Sequence, residues 1–147
     1  MINSEPRYKV TPDRIDGYVL AHHNEIFVYA SNTEGRHGSG SARTAFDEFG
    51  ARHGVAMGLV GQCYGIITKD FATFNPKSPE YVGKMLEFIQ SQVKTLYEFA
   101  TYRPELHFYV TAIGTGLAGL NVVAIRDIFN TWNIPSNVIL PKKFIQE

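Results

Sequence analysis

Ile26-Phe-Val-Tyr-Ala30, then Ser31-Asn-Thr-Glu-Gly-Arg-His-Gly-Ser-Gly40, then Ser41-Ala-Arg-Thr-Ala-Phe-Asp-Glu-Phe49 before Gly50, is the stretch whose reading decides the fold. The first five residues are a continuous apolar run bounded by turn formers, the pattern of a strand buried on both faces. The last nine place Ala42, Ala45, Phe46 and Phe49 on one helical face, and Gly50 stands where a helix C-cap favours glycine. Small residues on that face permit close packing on a sheet. Strand, glycine-rich loop and helix in that order open a βαβ unit.

The same order recurs downstream. Phe108-Tyr-Val-Thr-Ala-Ile113 reads as a second buried strand, Gly114-Thr-Gly-Leu-Ala-Gly119 as its loop, and Val122 to Trp132 as a helix with Val122, Ile125, Ile128, Phe129 and Trp132 as its apolar stripe. Between the two units, Tyr64-Gly-Ile-Ile-Thr68 is a further strand. Pro79 to Tyr102 is the longest helix: Ser78 caps it, Pro79 suits its first position, apolar residues from Val82 to Ala100 recur at three and four, and Pro104 ends it. Asn137-Val-Ile-Leu140 is expected as a last strand, Tyr18-Val-Leu-Ala21 as an added edge strand, His22 to Glu25 as a tight turn, and residues 69 to 78 as an exposed loop. The alternation predicts a single three-layer α/β domain over 1–147 with a mixed, largely parallel central sheet.

Composition excludes several classes. Of 147 residues, 44% are hydrophobic and 13% aromatic, while 19% are charged, below the roughly 25% of an average soluble protein, so disorder and a coiled coil are both disfavoured. Fourteen basic residues balance fourteen acidic ones, which removes the broad positive field of a generic nucleic-acid or anionic-membrane binder. The one cysteine, Cys63, makes no intramolecular disulfide and no zinc cluster, and fits a reducing compartment as a small packing residue. The start, Met1 to Lys9, is polar, and no run is long enough to span a bilayer, so a cytoplasmic protein is expected. Adjacent His22 and His23 point to opposite sides of an extended segment, and neither His53 nor His107 adds ligand spacing, so no metal and no cofactor is expected.

The thirteen glycines gather mostly into two clusters, Gly35 to Gly65 and Gly114 to Gly119. Open α/β sheets bind ligands at the carboxyl ends of their strands, where loops lead into helix N-termini, and both glycine loops fall there. Glycine lets backbone N–H groups approach an anion, and a helix N-terminus adds unpaired donors and a favourable dipole. Arg36, His37 and Arg43 can add charge to the first loop. Two such loops on one sheet edge suit a diphosphate better than a single phosphate. The first loop lacks the lysine of a P-loop. The second fits Gly-x-Gly-x-x-Gly but sits late in the chain, with only Asn133 and Asn137 where an acidic ribose contact would fall, which argues against a dinucleotide dehydrogenase.

These segments resemble the ligand loops of macro domains. Ala30-Ser31-Asn32, His37-Gly38-Ser39-Gly40, Ile66-Ile67-Thr68-Lys69-Asp70 and Ile113 through Gly119 are similar, more specifically, to a phage-associated macro-like group, over about residues 26 to 130. The resemblance implies recognition of ADP-ribose or a related NAD-derived nucleotide. By it Asn32 faces the distal ribose, Gly38 and Gly40 line the phosphate path, Gly114, Thr115, Gly116, Leu117, Ala118 and Gly119 clamp the diphosphate, and Asp13 or Asp16 holds the adenine amino group. Ser31, Arg36, His37, Ser39, Thr68 and Lys69 complete the expected ligand set. The chain departs from the family in having Tyr29 where the usual first asparagine falls and His37-Gly38-Ser39-Gly40 in place of three consecutive glycines, which bears on hydrolase activity more than on binding.

Three functions follow. The domain sequesters a free nucleotide, including an NAD-derived immune signal in an anti-defence role, for which a homo-oligomer is a fitting assembly. Alternatively it hydrolyses an ADP-ribose derivative or removes its phosphate, with Asn32 orienting a water and His37 or Asp70 as base. Or it is a structural or interaction module. Absence of a clear catalytic dyad favours binding over turnover.

Overall fold

A computed structural model describes residues 5–146, so the first four residues of the polar start lie outside it. Its strands are β1 (Glu25–Asn32), β2 (Gly58–Val60), β3 (Cys63–Lys69), β4 (His107–Val110) and β5 (Val138–Ile139), and its helices α1 (Gly40–Glu48), α2 (Pro79–Tyr102) and α3 (Val122–Phe129). The sheet order is β2-β3-β1-β4-β5. β1 is parallel to both β3 and β4, β4 is parallel to β5, and only β2 runs antiparallel, against β3. The chain is therefore an α/β protein with a mixed, mostly parallel sheet.

Period-two alternation along β1 divides the core. Ile26 and Val28 join the cluster that carries α2 and α3, through Met85, Ile89, Val93, Ile125 and Phe129. Phe27 and Tyr29 point the other way, where Ala42 and Ala45 of α1 meet them with Phe49 and Tyr109. Handedness accounts for this split. The crossover from β1 through α1 to β3 moves one way across the sheet, whereas those from β3 to β4 and from β4 to β5 move the other way. Right-handed connections then place α1 on one face and α2 with α3 on the opposite face.

Sequence signals at the helix ends act as expected. Ser78 accepts a hydrogen bond from the Tyr81 amide at 3.3 Å with Pro79 in the first position, and Gly50 sits at φ +82° just past α1. Three expectations are corrected, and two short elements are added. Tyr18 to Ala21 is a turn, because Asp16 Oδ1 accepts the amides of Tyr18 and Val19 at 2.9 and 3.0 Å. The strand expected to reach Ile113 ends at Val110, since Thr111 turns back with its hydroxyl on the Val28 carbonyl at 2.8 Å and its own carbonyl on the Ile113 amide at 2.7 Å. α3 stops at Phe129, where the Asn130 amide side chain donates to the carbonyls of Arg126 and Phe144 at 2.7 and 2.9 Å. Finally, β2 and the short 3-10 turn Lys142–Phe144 carry too few residues to show a period.

Candidate functional site

β1 and β4 are neighbours whose following helices leave on opposite faces of the sheet. Their carboxyl ends therefore diverge, and a crevice opens between them at the switch point of the topology. The crevice has a volume of about 430 Å³. Its first wall is Ser31, Asn32, Arg36, Gly38, Ser39 and Gly40, its second is Gly114, Thr115, Gly116, Leu117 and Ala118, and Thr68 and Lys69 at the end of β3 complete it. Ala30, Ser41, Ala42, Phe71, Thr111, Ala112 and Ile113 also line it; Ala30 and Ile113 begin two of the motif segments, and only Phe71 adjoins neither glycine loop.

Asn32 shapes the first loop. Its Oδ1 accepts the Arg36 amide at 3.0 Å and its Nδ2 donates to the Arg36 carbonyl at 2.9 Å, closing residues 32 to 36 into a ring. Gly35 makes that bend at φ +65°, and a Cβ there would clash with the Gly54 backbone. The chain then enters α1 at Ser39, whose side chain makes no capping hydrogen bond, so the first amides of the helix stay available to a ligand. Ser41 Oγ instead accepts the Ala30 amide at 3.0 Å and ties this helix start to β1. The Ser31 hydroxyl is buried without a partner among the described residues.

The second loop folds on itself. The Gly119 amide donates to the Gly116 carbonyl at 2.9 Å, and the Leu120 amide to the Gly114 carbonyl at 2.8 Å. The Thr115 hydroxyl donates to the Ala112 carbonyl at 2.7 Å. Gly119 thus closes the turn at φ +70° without lining the crevice.

The charged lining is positive. Lys69 Nζ rests 4.3 Å from the Phe74 ring centre and 5.0 Å from that of Phe71. Arg36 lies 5.8 Å from the Phe71 ring centre and pairs with exposed Glu34 at 2.9 Å. Among the described residues the lining holds no carboxylate and no imidazole.

His37 and Asp70 are held elsewhere. His37 is buried on the α1 side of its loop, stacked on Phe46, with Nε2 3.3 Å from the Tyr29 hydroxyl and Nδ1 3.5 Å from His53 Nδ1. Burial, then the neighbouring His53, lowers its pKa. Asp70 organises the turn after β3: its carboxylate accepts the Ala72 amide at 3.0 Å and the Thr73 hydroxyl at 2.9 Å. Neither side chain lines the crevice. Cys63 is buried and donates to the Val60 carbonyl, and burial pushes its thiol up to about 12, which suits packing rather than nucleophilic attack.

A second hollow of about 360 Å³ adjoins the crevice, sharing Ser41, Thr111 and Ala112 and continuing past Asp13 to Lys142 and Lys143. Asp13 faces this hollow, whereas Asp16 is engaged by the amides of its own turn.

No group of three or more His, Cys, Asp or Glu among the described residues is placed to hold a metal ion, and no helix there is long and apolar enough to cross a membrane. These features define an α/β domain with one crevice at its topological switch point, walled by two glycine loops. No family model, curated protein or solved structure matches the chain.

Proposed function

We propose that this crevice binds ADP-ribose or a related NAD-derived nucleotide, with the diphosphate between the two glycine loops, and retains it without turning it over. One observation carries the reading. Gly38 and Gly116 line the two walls of the crevice, neither has a positive φ, and a Cβ on either would meet nothing within 4 Å. The fold itself has no need of glycine at these two positions, whereas close approach of a phosphate to the backbone does. The uncapped start of α1 and the cations Lys69 and Arg36 add donors and charge of the right sign. Macro-domain loops supply the analogy for the nucleotide itself, and the hollow beyond Ser41 gives an adenine room beside Asp13.

Retention is favoured over hydrolysis because no base lines the crevice and the two candidates, His37 and Asp70, are committed to other contacts. A protein of this kind acts by sequestration, the anti-defence role that the phage-associated resemblance implies. Titration calorimetry with ADP-ribose, cyclic ADP-ribose and NAD tests the reading: one of the three is expected to release heat with a one-to-one stoichiometry, and silence from all three overturns it. Chromatography of the bound nucleotide after incubation is expected to return it intact.

A further inference from the structure

Phe71 lies two residues beyond the end of β3, lines the crevice, and keeps 36% of its surface in solvent. It is not a packing residue of either core cluster. Lys69 and Arg36 lie 5.0 and 5.8 Å from its ring centre, so two flexible cations rest over the ring. Leu117, 72% exposed at the tip of the second loop, gives the crevice another apolar rim. None of these four side chains lines the hollow beside Asp13, so they mark the other end of the site. A cation resting on an exposed aromatic ring is weakly held, and a phosphate offers it a stronger, charge-assisted partner. When the cations turn to phosphate, the ring face is left open to a flat, polarisable group.

We infer that Phe71 is a specificity-determining stacking residue, and that the occupant of the crevice carries a planar ring at the Phe71 end as well as a diphosphate. Resting on the proposed nucleotide site, this deepens it: the crevice prefers a dinucleoside diphosphate, with a ring beyond each end of the phosphates, over a diphosphate ending in a bare sugar, which binds more weakly.

The test compares inorganic pyrophosphate with diadenosine diphosphate, whose symmetry puts a ring at the Phe71 end in either direction. Wild-type protein is expected to bind the dinucleotide at least about fivefold more tightly than pyrophosphate, the low end of what one stacked base contributes. Phe71→Ala is expected to weaken dinucleotide binding about fivefold or more, leave pyrophosphate affinity unchanged, and reduce the upfield shift of the adenine ring protons on binding. Phe71→Tyr restores all three. Dinucleotide affinity that is unaffected by Phe71→Ala, or no better than that of pyrophosphate, overturns the inference while the phosphate-binding crevice stands. If wild-type protein binds neither probe nor any of ADP-ribose, cyclic ADP-ribose and NAD, the crevice reading itself fails and this inference with it; ADP-ribose binding without dinucleotide binding overturns the inference alone. Phe71 is partly exposed and outside the core clusters, so the variant is expected to melt with the wild type, which thermal unfolding checks.

Discussion

His37 Nδ1 lies 3.5 Å from His53 Nδ1, while His37 Nε2 lies 3.3 Å from the Tyr29 hydroxyl. Burial pushes the Tyr29 phenol up to about 12, so it stays protonated and can donate to Nε2, leaving Nδ1–H to donate to His53. This arrangement needs His37 neutral, and its pKa is lowered accordingly. An unfolded histidine takes its proton near pH 6.5, before the folded one does, so stability is full above that value and falls as pH drops toward the folded pKa. Urea unfolding between pH 7.5 and 5 should show this loss, and His37→Gln should flatten it. An equally steep loss in the variant assigns the effect to another group.

Arg7 and Glu25 supply a second pH-dependent contact. The Glu25 side chain has no exposed surface and accepts Arg7 Nε at 2.7 Å, Arg7 Nη2 at 2.5 Å and the His22 amide at 3.0 Å. Burial alone would raise its pKa, but the Arg7 and His22 hydrogen bonds outweigh burial and hold it below the ordinary carboxylate value. Its contribution is therefore present above the unfolded pKa and lost as pH falls through the lower folded one. Arg7→Met should leave a buried unpaired carboxylate and cost about 2–4 kcal/mol, the outer reach of Arg7 being partly in water. Chemical unfolding at pH 7 measures the cost, and the gap to the wild type should narrow as pH falls, because without Arg7 burial raises the Glu25 pKa and protonation relieves the unpaired charge.

This contact also shows what the sequence made legible. α2 is legible because many residues repeat one period, β1 and β3 because each is a short apolar run bounded by turn residues, and both glycine loops because turn residues cluster at strand ends. The Arg7–Glu25 pair joins residues 18 apart in the chain, and nothing in a local pattern marks Glu25 as buried. His37 was misdirected for a related reason: its place in the loop was evident, but which side of the loop its ring takes depends on Tyr29, Phe46 and His53. Phe71 belonged to no motif, and its tie to Lys69 and Arg36 arises only when β3 ends beside the first loop.

Gln92 occupies a position in α2 where helical periodicity marks no polar requirement, yet it is buried and serves the sheet. β2 pairs with β3 only as far as Gly65, leaving the β3 edge open beyond it. Gln92 covers that edge: Oε1 accepts the Ile67 amide at 2.7 Å and Nε2 donates to the Ile67 carbonyl at 2.8 Å, so one side chain stands in for the missing strand. Gln92→Leu keeps the volume and strands both backbone groups, which should cost about 2–4 kcal/mol. Hydrogen exchange offers a local readout, since the Ile67 amide should lose protection well before the amides of β1. Unchanged protection would mean that water or a neighbouring group replaces Gln92.

Gly114, Gly38 and Gly116 separate two reasons for a glycine in the same pair of loops. At Gly114 φ is +76°, and a Cβ would lie 2.7 Å from Ile125 Cδ1 and 3.2 Å from Leu120 Cδ1, both in the buried core. Gly114→Ala should therefore destabilise by about 1–3 kcal/mol through backbone strain and overpacking, whatever it does to binding. Gly38 and Gly116 carry neither constraint, so Gly38→Val and Gly116→Val should unfold within about 1 kcal/mol of the wild type. Their side chains project from the walls of the crevice, and each should cut ADP-ribose affinity below detection by calorimetry. Gly83 is the control, since it too has open space around it but lies inside α2, far from either loop in the chain. Gly83→Ala should raise stability by about 0.5–1 kcal/mol, the helix-propensity gain, and leave binding untouched. Folded Gly38→Val and Gly116→Val proteins that still bind ADP-ribose like the wild type would move the nucleotide site out of this crevice.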